Sequence, residues 1–131
     1  MPRRVKAWLP AALVAGLIFV LSHQPSFGIV LYGWVSELVS NIVHFIEYAM
    51  LAAAIAFGLR TEGMDAEDAG KLAILVAVLF GVTDEIHQRF VPGRSSSPLD
   101  LIPDLAGAWT GVRLSAEWKK RRGKRRSGAR P

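Results

Sequence analysis

The sequence predicts an all-α fold: a polytopic membrane helical bundle of about four transmembrane helices. Three observations predict it. Four long apolar stretches follow one another at residues 7–22, 38–59, 72–88 and 99–114. Parts of them, residues 11–21 and 72–82, are apolar all round, whereas a soluble bundle would show polar outer faces. Lysine and arginine, finally, are distributed very unevenly along the chain. The 131 residues suit one domain and are 51% hydrophobic. A mean hydropathy of +0.29 conceals this segregation, because the final dozen residues are nearly all basic or small. Cysteine is absent, which excludes a disulfide frame and any thiolate metal site.

The first stretch lies behind Arg3, Arg4 and Lys6. It has the basic start and apolar core of a signal peptide. Leu21-Ser22-His23-Gln24-Pro25 follows it, however, instead of a small-x-small cleavage site, so it is read as a retained span. A spanning helix needs roughly 20 apolar residues. The second stretch meets this outright. The others meet it with their flanking residues, which suits a thin bilayer. Gln24 to Gly28 breaks the chain, and the apolar, aromatic residues 29–35 are expected on the outer surface. Residues 61–70 are polar and acidic, a cytoplasmic connection. Pro92-Gly93 reads as a turn, and Ser95-Ser96-Ser97 leads into the fourth span. Residues 119–131 form a basic tail behind the membrane domain of residues 1–118.

Orientation follows from the basic residues. With the N-terminus cytoplasmic, fourteen of the sixteen Lys and Arg lie inside and only Arg89 and Arg94 outside. Both termini are therefore expected in the cytoplasm. The net charge of +5 is explained by this topogenic signal, with anionic lipid heads as its partners rather than nucleic acid.

Charged groups within spans are costly and face a bundle interior or a wet cavity. Asn41, His44, Glu47 and Tyr48 share one face of the second span, since residues three and four apart are neighbours on a helix. Asp84, Glu85, His87 and Gln88 close the third span, one turn after Gly81. Asp100 and Asp104 open the fourth, with Pro103 between them as an expected distortion, and Gly107 and Gly111 continue their stripe as a packing seam. Under the stated topology all three sets fall at one depth, near the external face. That coincidence points to an extracytoplasmic, partly buried polar site. Each residue also has a plainer reading: Asp100 completes a cap begun by Ser97-Pro98, Arg89 and Arg94 neutralise carboxylates, and His23 and His87 are solvated near the interface.

The pieces His44-Phe45-x-x-Tyr48-x-x-Leu51, Asp84-Glu85-x-x-Gln88-x-Phe90-x-Pro92-Gly93-Arg94, Asp100, Gly107 and Gly111 resemble the VanZ-like family. That family takes its name from an accessory protein of glycopeptide-antibiotic resistance. The resemblance covers residues 38–111 and implies a multi-pass protein of the bacterial inner membrane and cell envelope. Two readings of the site follow. As a binding pocket, it would use Tyr48, Gln88, Arg94, Asp100 and Asp104 to hold a lipid-linked or glycopeptide-type ligand, the arginine suiting phosphate or carboxylate. As an intramembrane enzyme, it would use His44, Glu47, Asp84 and Glu85 as acids, bases or hard-metal ligands. A proton-coupled exporter ranks last, because the first span has no carboxylate. The sequence carries neither a nucleophile motif nor a His-Glu-x-x-His zinc spacing, and leaves metal, cofactor and oligomeric state open.

Overall fold

Each apolar stretch forms a helix. The computed structural model describes residues 3–24, 33–93 and 97–127, with side chains between 4 and 121. Its helices are α1 (Arg3–Ser22), α2 (Gly33–Thr61), α3 (Ala66–Gln88) and α4 (Leu101–Ser127), the last preceded by a 3₁₀ turn, Pro98–Asp100. The helices extend the apolar stretches at their polar ends, and α4 runs on through the basic segment to Ser127. Most of the apolar surface segment 29–35 lies outside the described residues.

Local chemistry sets the breaks. Gly63 adopts a left-handed φ of 102° after α2. Asp65 then caps α3, its carboxylate accepting from the backbone N–H of Glu67 at 2.8 Å and of Asp68 at 3.1 Å. Those backbone donors, Asp68 first, hold the Asp65 carboxyl below the usual carboxylate range. Beyond α3, Gly93 takes the left-handed φ of 78° expected of Pro92-Gly93. Ser97 Oγ accepts from the backbone N–H of Leu99 at 3.3 Å, with Pro98 in the first positions of the turn. Pro103 cannot donate to the Leu99 carbonyl, so its distortion falls before α4 begins and α4 itself runs on as α-helix.

The helices alternate in direction. Trp8 near the start of α1 covers Gly58 near the end of α2, where a Cβ would come within 2.9 Å of the indole. Beside it, Arg4 pairs with Glu62 at 3.4 Å. Gly70, early in α3, packs on Val112, about midway along α4. The central helix is α2, which touches the other three and packs most extensively on α4. On that contact the Gly107–Gly111 seam lies against the backbone of Phe45 and Ala49, so closely that a Cβ at either glycine would run into their carbonyl oxygens.

The resulting molecule is apolar on the outside. Its interior is lined by alanines, with Ala52, Ala56, Ala69, Ala73, Ala77 and Ala108 fully buried. Many large side chains point outward: Leu13 and Leu17 on α1, Ile42 and Ile46 on α2, Leu75 and Leu79 on α3, Ile102 and Trp109 on α4 are all exposed. Water would penalise such a surface by roughly 25 cal/mol per Å², whereas lipid does not. Two helices, Arg4–Ser22 and Gly33–Thr61, are long and apolar enough to cross a membrane. α3 and α4 carry the same outward apolar faces, with Asp84, Glu85 and Asp104 held inside.

Candidate functional site

Among the described residues, seven polar or charged side chains are buried, namely Ser22, His44, Glu47, Asp84, Glu85, Gln88 and Asp104. All lie at the end of the bundle where α1 and α3 finish and α2 and α4 begin. The antiparallel path brings these ends together, and helical periodicity turns each set inward.

Two hydrogen-bonded groups make up the cluster. The first joins α2 to α4. His44 Nδ1 and Asp104 Oδ1 are 2.9 Å apart, with both side chains at least 96% buried. Tyr48, one turn further along α2, is fully buried and lies parallel to the imidazole, with ring centroids 6.3 Å apart. Gly81 on α3 makes room for both partners: a Cβ there would stand 2.9 Å from Asp104 Oδ2 and 3.3 Å from Tyr48 Cε1. The second group joins α1 to α3. Ser22 Oγ donates to Asp84 Oδ2 at 2.7 Å, and Gln88 Nε2 donates to the same oxygen at 2.8 Å. The Gln88 amide also reaches Ser22 Oγ at 3.3 Å. Asp84 thus receives two donors, the compensation that a buried carboxylate needs.

The groups adjoin. Gly81, which faces both Asp104 and Tyr48, lies one turn before Asp84 on α3. Within the cluster, buried Tyr48 Oη and Asp104 Oδ2 have no hydrogen-bond partner among the described residues. Each such buried group costs about 1–3 kcal/mol relative to a satisfied one.

Of the residues expected from the sequence, His44, Glu47, Tyr48, Asp84, Glu85, Gln88 and Asp104 are therefore buried at one end. Asp104 sits in the interior, where Gly81 opens space for it between α2 and α3. Asp100 is half-buried in the 3₁₀ turn that leads into α4. Arg94 lies outside the described residues. Asn41 is exposed, so the buried stripe on α2 starts at His44. Sequence reasoning missed Ser22. Its only signal was position, as a hydroxyl ending the first apolar stretch at the depth of the other polar residues. Among the described residues, no three His, Asp or Glu side chains are gathered closely enough to hold a metal ion.

Comparison with curated proteins and with solved structures found no match. The model of one family, VanZ/LLP1, matches residues 6–118. This region takes in nearly all of α1, the whole of α2 and α3, and most of α4, and it contains every buried polar residue of the site. On that match the chain belongs to the VanZ/LLP1 family of membrane proteins.

Proposed function

We propose that the chain crosses the bacterial inner membrane four times, with both termini cytoplasmic, and that its polar cluster is an extracytoplasmic site for the head of a lipid-linked or envelope amphiphile. The apolar outer faces of α3 and α4 support four crossings. The basic residues support the orientation: Arg4, Lys6, Lys71 and Arg113 lie toward the end opposite the polar cluster. Reporter fusions after Arg60 and after Pro131 are expected to read cytoplasm. A periplasmic signal from either would reverse or break this topology.

The observation that carries the binding reading is the unsatisfied pair, Tyr48 Oη and Asp104 Oδ2, within a cluster of carboxylates in an alanine-lined bundle. A polar head would satisfy these atoms while its tail lay along the outer apolar faces. Native mass spectrometry of protein released in mild detergent tests this. Wild type is expected to retain one amphiphile stoichiometrically. Tyr48→Phe and Asp84→Asn are expected to lower retention about tenfold or more, as the loss of one buried polar contact implies. If wild type carries only bulk phospholipid, unchanged in both variants, the binding reading fails.

The His44–Asp104 pair supports a second reading, in which the site acts on its amphiphile. An imidazole oriented by a buried carboxylate is the arrangement of a general base. Its distinguishing outcome is a retained lipid that is intact in His44→Gln and cleaved in wild type.

A further inference from the structure

We infer that His23 and His87 form a binding site for a borderline divalent cation of the zinc, nickel and cupric class, bridging α1 and α3 beside the buried polar cluster. The two histidines are 64 positions apart, yet His23 Nδ1 and His87 Nε2 stand 3.3 Å from each other. This separation exceeds the 2.7–3.2 Å usual for N–H···O hydrogen bonds. It matches the edge of a coordination tetrahedron: two nitrogens bound at about 2.0–2.1 Å to one ion lie about 3.3–3.4 Å apart.

The surroundings hold that geometry. Phe19, one turn before His23 on α1, lies at 12° to the His23 ring and has its centroid 4.9 Å from that of His87. The two imidazoles are 26° from parallel. The chain neighbour of each histidine is locked: Ser22 and Gln88 both donate to Asp84. The backbones carrying the histidines are thus tied together independently of the imidazoles. His23 is exposed and His87 half-buried, which leaves the remaining coordination positions to water. Imidazole donors select zinc, copper and nickel over magnesium or calcium, which prefer oxygen ligands. The chain has no cysteine, and its only other histidine, His44, is buried against Asp104. A bound ion would cross-link α1 to α3 at the mouth of the site. This inference stands whatever the buried cluster binds.

The test uses the full chain, purified through a tag without histidines and held in detergent or nanodiscs. Titration with nickel or zinc chloride is expected to give saturable one-to-one binding and a higher melting temperature, reversed by chelator. Magnesium chloride should do neither. His23→Ala and His87→Ala are each expected to weaken binding at least tenfold. Each variant's melting temperature without metal serves as the folding control. Cupric ion supplies a second readout: its electron paramagnetic resonance should report two imidazole nitrogens in wild type and one in each variant. Absence of stoichiometric binding, a single nitrogen in wild type, or wild-type affinity in both variants would overturn the site.

Discussion

Replacing Gly107 and Gly111 together with leucine is expected to unfold the bundle in detergent while leaving the chain inserted in the membrane. Adding volume to a packed interior typically costs about 1–3 kcal/mol per site, because neighbouring side chains can shift. Here the neighbours are the carbonyls of Phe45 and Ala49, and backbone in the middle of α2 cannot shift without moving the helix. The cost per site is therefore expected at about 3 kcal/mol or more. Leucine makes α4 more apolar, so insertion itself should not suffer. Alanine is the sharper probe. It favours helix over glycine by about 1 kcal/mol, so destabilisation by Gly111→Ala would have to come from the clash. Melting curves in detergent, alongside membrane fractionation, check both effects. Unchanged melting temperatures would mean that α2 and α4 do not meet along this seam.

Asp104→Ala is expected to be the most damaging change within the polar cluster. It strips the buried His44 of its partner on α4. Breaking a buried pair costs about 3–5 kcal/mol when it is ionic, and about 1–3 kcal/mol when it is a neutral hydrogen bond. Asp104→Asn keeps the shape and an acceptor oxygen, and should cost far less. His44→Ala leaves the mirror-image defect, an uncompensated carboxylate. The double variant should be less damaged than the two single losses would sum to, because neither partner is left stranded. Chemical denaturation of the four proteins in one detergent measures the coupling. Additive losses would show that the pair contributes nothing as a pair, and its place at the centre of the site would have to be abandoned.

Much of this was legible from the amino acids. Four apolar stretches require four helices, because only a helix satisfies every backbone group within a single lipid-facing segment. The spacing of His44, Glu47 and Tyr48, and of Asp84 and Gln88, put them on common faces before any fold was known. The alternation of the chain set those faces at one end. The close contact of Gly107 and Gly111 with another helix followed from their small size.

Periodicity gives the direction of a side chain around its own axis and says nothing about which helix stands opposite. That depends on how each helix is rotated and slid against its neighbours, and small residues scattered along the chain decide it. Gly107 and Gly111 bring α4 onto α2, which pairs Asp104 with His44. Gly81 admits the same aspartate into the interior. The end of α1 meets the end of α3, so Asp84 takes its donors from Ser22 and Gln88. The sequence by itself thus determined that this protein is a bundle of apolar helices, with the charges that fall inside its apolar stretches gathered at one end. Only the tertiary structure decided the partners of those charges, and that His23 and His87 face each other, because both depend on contacts between residues some sixty positions apart.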